Sequence, residues 1–313
     1  MKRFFVTIFL TVILLLAGCG DFRLKKSKVE QTTSVLKDSI TFVSDRKMVP
    51  KVYILTEGQV EPLSNFNYDY VEVQPSFSFT KDKLVYISTS SDSILLTQDP
   101  SLNYRNFKDN SNVEVKISKK LLNPKWVDEE HIITKTSHNG KVGFGLLNIK
   151  DKSYKFIPIK NDYILEFDSK DKNIFYVTMS KEDVSKQASI FEPSLDPEKI
   201  SKLYKLDLRS LEEEKLVEIR GAIYNISVDK NRILYSLNSG KIGEIYLINL
   251  DNLKIRRLTN NNYYDGEPCF VSENRMIYVS NADGDRDIYS MNIDGSEKRQ
   301  LTNNGWEDYN IDY

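Results

Sequence analysis

A chain of 313 residues, 40% hydrophobic and 28% charged, can bury a substantial core. Its 44 basic and 45 acidic side chains leave a formal charge of −1, which gives no electrostatic basis for nucleic-acid binding. Two cysteines, Cys19 and Cys269, and two histidines, His131 and His138, exclude a disulfide-built scaffold and offer little to a metal centre.

The N-terminus reads as a targeting segment. Lys2 and Arg3 precede the apolar run Phe4–Ala17, which is too short and wrongly flanked for a spanning helix. Leu16-Ala17-Gly18-Cys19 then resembles the lipobox of bacterial lipoproteins. That resemblance implies a signal peptide over 1–18, cleavage before Cys19, and lipidation of the Cys19 thiol. The mature protein would be held by this lipid on a membrane of the bacterial cell envelope, facing the periplasm or the cell exterior. Losing Lys2 and Arg3 moves the formal charge from −1 to −3. Once Cys19 is lipidated, no intramolecular disulfide remains possible. Residues 19–38 are polar and lysine-rich without sustained periodicity, and are expected to form a tether lifting residues 39–313 off the membrane.

From Ser39 onward the chain is a repeat. The clearest unit opens on LTNN at Leu258 and closes on LTNN at Leu301, a self-match 43 residues apart. Within it, CFV, RMIYVS, DIYSMNI and EKRQLT are short runs rich in β-branched and aromatic residues, separated by Asn, Asp and Gly. Second strands on this template are expected at Ser39–Ser44, Lys83–Ser88, His131–Thr136, Asn173–Thr178, Arg232–Leu237 and Arg275–Ser280. Third strands are expected to start at Lys51, Ser93, Gly143, Lys202, Glu244 and Asp287. Fourth strands are expected from Val60, Val113, Tyr154, Glu214, Ile255 and Lys298. First strands carry an apolar residue or proline, one residue, then a large apolar residue: Pro75/Phe77, Pro124/Trp126, Leu165/Phe167, Ile226/Val228, Pro268/Phe270 and Ile311/Tyr313.

The last of these pairs belongs to YNIDY at the C-terminus, while the unit beginning at Ser39 lacks a first strand. One orphan strand and one incomplete unit add up to a closed ring, which leaves no exposed sheet edge. The expectation is all-β: a six-bladed β-propeller with four antiparallel strands per blade, closed by the C-terminal strand, and a monomer. Two connections are long. Asp99–Asn112 is expected to lengthen the third-to-fourth connection of the second blade, and Lys181–Ile200 the second-to-third connection of the fourth.

SNADGDRDIYSMNIDGSEKRQLTNN and FVSDRKMVPKVYILTEGQVEPLSN resemble the propeller repeat of the TolB family. In that repeat a serine-aspartate turn leads into an IY-x-M-N-x-DG hairpin and ends in LT. The likeness is strongest over Asn252–Asn304 and implies the six-bladed fold. TolB is a soluble periplasmic protein with a separate α/β domain before its propeller, and it docks a peptidoglycan-associated lipoprotein. This chain shows no such domain and carries its own lipid signal, so the resemblance implies a TolB-like lipoprotein rather than TolB itself.

Little in the sequence speaks for catalysis. The two histidines have no HxxxH, HxH or Cys/His neighbours, and no GxSxG elbow is present. Asp283, Asp285 and Asp287, with Asp294 beyond, resemble a calcium loop only loosely, because Gly284 and Arg286 break its spacing. They are expected to cap their own hairpin. Cys269 reads as a small core residue. The suggestive feature is the set of blade-to-blade connections, NFNYDY (Asn65–Tyr70), NNNYYDGE (Asn260–Glu267) and NNGWEDY (Asn303–Tyr309). They place Tyr68, Tyr70, Tyr263, Tyr264, Asp265, Trp306 and Glu307 at one rim as candidate binding residues. The same aromatics could instead pack between neighbouring blades. The functional expectation is a non-enzymatic binding or scaffold propeller for an envelope protein, peptide or glycan, with no catalytic residue, metal or cofactor. An enzyme acting on an envelope carbohydrate is the alternative, and it would need a histidine-rich metal site.

Overall fold

The computed structural model describes residues 10–11, 23–28, 36, 38–64, 67–91, 100–117, 119–160, 163–180, 199–239 and 242–313. The lipobox and Cys19 lie outside them, as do the expected strand at Ser93 and most of Lys181–Ile200.

Every blade is an antiparallel sheet ordered from the centre outward. Blade 1 runs Asp308–Asp312, Ile40–Ser44, Lys51–Thr56, Gln59–Pro62, so the C-terminal strand does complete the N-terminal unit. Blade 2 is Tyr70–Phe77, Lys83–Ser90, Ser101–Asn106, Ser111–Lys116, and blade 3 is Leu122–Trp126, His131–His138, Lys141–Asn148, Ser153–Pro158. Blade 4 is Tyr163–Lys170, Asn173–Met179, Ile200–Asp207, Glu213–Arg220, and blade 5 is Ile223–Asp229, Arg232–Ser239, Ile242–Asn249, Ile255–Arg257. Blade 6 is Asp265–Ser272, Arg275–Ser280, Asp287–Asn292, Arg299–Gln300.

The core is divided among the blade interfaces. Each hydrophobic cluster is shared by two neighbouring sheets, as where Trp126, Ile132 and Leu147 of blade 3 meet Ile87 and Leu102 of blade 2. Successive side chains of a strand point to opposite sheet faces. Ile132 therefore serves the seam with blade 2 while Ile133 serves the seam with blade 4. Both faces being buried, the second strands read as largely apolar runs rather than as alternation.

The ring is closed by charge as well as by ladder. Asp308 pairs with Ser44, its carboxylate is fully buried, and both its oxygens lie 3.0 Å from Nη2 of Arg46. Removing one member of such a buried pair costs about 3–5 kcal/mol, because the other charge is left without a partner.

The LTNN self-match has a structural cause. Thr259 Oγ1 accepts from the Ile245 N–H at 2.9 Å and donates to Glu244 Oε2 at 2.6 Å. One repeat later, Thr302 Oγ1 accepts from the Ile288 N–H at 2.9 Å and donates to Asp287 Oδ1 at 2.9 Å. Asn261 Nδ2 donates to Asp265 at 2.7 Å, and Asn304 Nδ2 to Asp308 at 2.8 Å. The motif is a latch that fastens the end of one blade to its third strand and to the first strand of the next.

Blade 2 departs from the sequence expectation. Its third strand is Ser101–Asn106, inside the stretch expected to be a third-to-fourth connection, and the true turn there spans only 107–110. Leu102 and Tyr104 face the core, but the intervening Asn103 and Arg105 are buried too. Asn103 is held by Ser88 Oγ at 2.9 Å. Buried polar groups disguised a strand as a loop. Residues 91–100 thus separate the second and third strands of blade 2, as residues 180–199 do in blade 4. The expected tether also contains a strand. Arg23–Lys28 pairs antiparallel with the outer edge of blade 2, from Arg23↔Lys116 to Lys28↔Ser111, and Leu24 packs over Val113 and Val115. Leu10–Thr11 adds a short pairing outside it.

Candidate functional site

In a blade with this strand order, second-to-third loops and blade-to-blade connections share one face, and the two kinds of hairpin turn share the other. The first is called the rim face below. Four of its neighbouring segments are tied together. The Asp308 N–H donates to Arg286 O at 2.7 Å, the Glu307 N–H to Asp45 Oδ1 at 3.0 Å, and the Glu72 N–H to Pro50 O at 2.9 Å. Arg286 also lies 3.6 Å from the Glu307 carboxylate. This platform carries Met48, Tyr68, Tyr70 and Trp306, exposed by 84%, 61%, 51% and 43%.

The expected rim residues divide into three groups. Tyr68, Tyr70 and Trp306 are exposed, and Glu307 is half-exposed beside Arg286. Tyr263 and Tyr264 are half-buried. Tyr263 receives a hydrogen bond from Lys298 Nζ at 3.2 Å. The ring of Tyr264 is wedged between blades 5 and 6: a Cβ on Gly243 would come within 2.7 Å of it, and one on Gly266 within 2.2 Å of its hydroxyl. Arg286 stacks 5.1 Å from its centroid. Asp265 is fully buried and belongs to the latch through Asn261. Met48, in the tight turn after blade 1's second strand, was not expected at the rim.

The second polar centre is the channel. In five first strands one residue has a left-handed backbone with φ near +50°: Gln74, Asn123, Asn225, Glu267 and Asn310. Each precedes the proline or apolar residue of the first-strand signature, and at each the ladder slips. Asn suits this conformation best among L-residues. Blade 4 slips at Leu165 instead and presents Glu166. The six polar residues line a cavity of about 90 Å³. The Asn123 N–H donates to Gln74 Oε1 at 2.9 Å and the Asn310 N–H to Glu267 Oε2.

Two positions further along each strand lies a second tier. There Lys125 Nζ reaches Asp312 Oδ1 at 2.6 Å, and Asp168 accepts from the Val228 and Ser169 N–H groups at 2.8 Å. Burial raises the Glu166 pKa against the pull of Lys135 and Lys125, and raises that of Glu267 against Arg286. Burial likewise raises Asp168 against Lys125. On Lys125 burial pulls downward, but Asp312 and Asp168 leave it raised. Cys269 borders this tier, its thiol pushed by burial up to about 12. Such a thiol is no nucleophile at neutral pH. Beyond Lys125 the channel widens to about 350 Å³ toward the hairpin-turn face.

The histidines sit at opposite ends of one strand. His131 is bound to Asp128 at 2.8 Å and to Asn148 at 3.1 Å, whereas His138 meets Lys119 Nζ at 2.9 Å. Neither lines the channel. Asp283, Asp285 and Asp287 approach within 4.8 Å of one another. They do not cap their own hairpin as expected: Asp287 is taken up by Thr302 and Gln300, and Asp283 by Gln300 at 2.6 Å. Only Asp294 caps its turn, accepting from the Ser296 N–H at 2.9 Å.

No protein-family model matches the chain, and no curated protein matches it. Solved structures do. TolB from Acinetobacter baumannii superimposes with a TM-score of 0.65 at 14% identity, over 90% of this chain and 67% of that one. A protein assigned as TolB from Agrobacterium tumefaciens gives 0.58 at 16% identity, over 84% and 88% of the two chains. A chain of the nidogen/laminin complex gives 0.60 at 9% identity, over 88% and 97%. With its six blades, its ring closure and these neighbours, the chain has the fold of a TolB-like β-propeller.

Proposed function

We propose that this is an envelope-anchored, non-catalytic binding propeller working through its rim face. The observation that carries the reading is the hydrogen-bonded platform holding Met48, Tyr68, Tyr70 and Trp306 in the open. Large, rigid aromatic side chains on a preorganised surface are the usual anchors of recognition. Propellers of this shape host many activities, so the site and not the fold has to bear the proposal. A TolB-like fold is consistent with an envelope protein, and Cys19 would supply the membrane attachment.

Among the described residues an enzyme reading would rest on the channel, where burial raises the pKa of Glu166 and Glu267. The cavity those two line, about 90 Å³, is well below the roughly 300 Å³ that small-molecule sites occupy. The wider end, of about 350 Å³, is bordered by the Lys125–Asp312 pair rather than by the two glutamates.

Two measurements test the proposal. Cys19→Ser should move the protein out of the membrane fraction and stop incorporation of labelled fatty acid; a variant still lipidated and membrane-bound after a carbonate wash defeats the anchor. Trp306→Ala combined with Tyr68→Ala should leave the fold intact and abolish crosslinks made at the rim in cells. Unchanged crosslinking would transfer the binding surface to the opposite face.

A further inference from the structure

We propose that the strand Arg23–Lys28 straps the propeller with its rim face against the bilayer, so that the exposed aromatics meet the lipid headgroups. The inference rests on lipidation of Cys19 and names the occupant of the rim.

Direction decides it. Blade 2's fourth strand runs from the hairpin-turn face at Ser111 to the rim face at Lys116. Arg23 pairs with Lys116 and Lys28 with Ser111, so the strap runs the opposite way and its N-terminal end lies at the rim. The remainder of the segment agrees. Leu36 is buried beside Phe77 and Leu84, and Lys81 in blade 2's first hairpin turn donates to Ser39 O at 2.9 Å. Lys28 at the end of the strap and Leu36 and Ser39 at the entry to blade 1 thus all lie toward the hairpin-turn face.

Length decides how close the membrane must be. Free from Gly20 to Asp38, the leash could extend roughly 60 Å. With Arg23–Lys28 paired, only four Cα steps separate Cys19 from the rim, at most about 14 Å. The polar layer of a bilayer leaflet is itself about 5–8 Å thick. Tyr68 and Tyr70 belong to the connection entering blade 2, the blade that carries the strap, and Met48 and Trp306 follow on the same platform. Tryptophan and tyrosine favour the headgroup level. Elsewhere on this face Arg23, Lys120, Lys141 and Lys160 are exposed, a basic arc suited to anionic headgroups. Lys116 beside them is paired with Glu114. The wide end of the channel, with Tyr313, then opens away from the membrane.

The two tryptophans provide the test. Trp306 is on the rim, and Trp126 is buried between blades 2 and 3. The mature lipoprotein, carrying its own lipid, is reconstituted into vesicles of phosphatidylethanolamine and phosphatidylglycerol with brominated acyl chains. Bromine should quench the Trp306 contribution at least about twofold, as for an interfacial indole. Trp306→Phe should remove the quenchable component. In that background Met48→Trp should restore it, and Phe79→Trp, exposed on the hairpin-turn face, should not. If the protein floats with the vesicles but Trp306 and Met48→Trp are unquenched, the rim stands clear of the bilayer and a protein or glycan occupies it. Quenching of Phe79→Trp alone would reverse the orientation. A protein that does not float overturns the anchor itself, and the orientation with it.

Discussion

Blades 5 and 6 hold their outer strands in one way and blade 2 in another. The fourth strands of blades 5 and 6, Ile255–Arg257 and Arg299–Gln300, are short and exposed. So little ladder cannot fasten an edge, and the threonine–carboxylate latches at Thr259 and Thr302 do so instead. Blade 2's fourth strand, Ser111–Lys116, is longer, with Val113 and Val115 buried beneath Leu24 of the strap. A latch needs one hydroxyl and one carboxylate in fixed places, so its sequence repeats. Apolar cover tolerates many side chains of about the right volume, so its sequence drifts.

The largest test of this contrast is the closure on which the latched side depends. Truncation after Glu307 removes blade 1's inner strand and leaves Arg46 without Asp308. The loss approaches the whole stability of an ordinary domain, about 5–15 kcal/mol. The truncated chain should aggregate or show no cooperative melt. A melting temperature within a few degrees of the parent would mean the ring does not need its closing strand.

The latches come next. Thr302→Val leaves the Ile288 N–H without its partner and takes from the Asp287 carboxylate its shortest hydrogen bond, with Gln300 and Asn304 remaining, at an expected cost of about 1–3 kcal/mol. Thr259→Val should cost as much through Glu244. Thr136→Val in blade 3 is the control. Thr136 donates to Lys120 O at 2.7 Å with no carboxylate behind it, so its loss should lie nearer 1 kcal/mol. Chemical denaturation of the three variants reads the difference; three equal values would strip the LTNN motif of its special role.

The same contrast explains what could be read from the sequence. Ring closure was legible because Ile311/Tyr313 repeated a first-strand signature in a place where only the Ser39 unit could use it. The latched blades were legible because their chemistry is specific. Ser101–Asn106 was not, because Asn103 and Arg105 are buried polar residues that pattern as loop. Arg23–Lys28 was hidden for the opposite reason: Leu24 is its one apolar contact, and Arg23, Lys25 and Lys26 are exposed. Asp265 looked like a rim residue because an acidic group beside two tyrosines gives no sign of burial. The channel ring was in view all along, as a polar residue ahead of five first-strand pairs and, in Glu166, inside the sixth. A lone Asn-Pro or Glu-Pro reads as turn chemistry, and only the six aligned together show a tier.

Two rim aromatics sharpen the comparison further. Tyr264 fills the space that Gly243 and Gly266 leave open between blades 5 and 6, so Tyr264→Ala should lower stability by about 1–3 kcal/mol. Trp306→Ala removes an exposed ring and should stay within about 0.5 kcal/mol of the parent. Thermal melts of the two single variants suffice. Equal losses would mean that Trp306, too, is mortar between blades.

The smallest effect is a pH dependence seated in the blade 6 latch. Burial pushes the Asp287 carboxyl up to about 6, against the hydrogen bond from Thr302 and with the like charges of Asp285 and Asp283 adding to the rise. In the unfolded chain the group titrates near its ordinary 3.8. Between those values the folded state holds the extra proton. The contribution is therefore fully present below about pH 4 and is lost as the pH rises through about 6. Burial also raises Glu166, Asp168, Glu267 and Asp265, and these contribute with the same sign, so the wild-type profile alone cannot isolate Asp287. The difference between wild type and Asp287→Asn can, because the amide keeps the shape and has no proton to exchange. Measured by denaturant titration across that range, the stability of the wild type relative to the variant should fall as the pH rises. A difference that stays level, or grows with pH, would show that the latch carboxylate is ionised throughout and that Thr302 holds it as an anion.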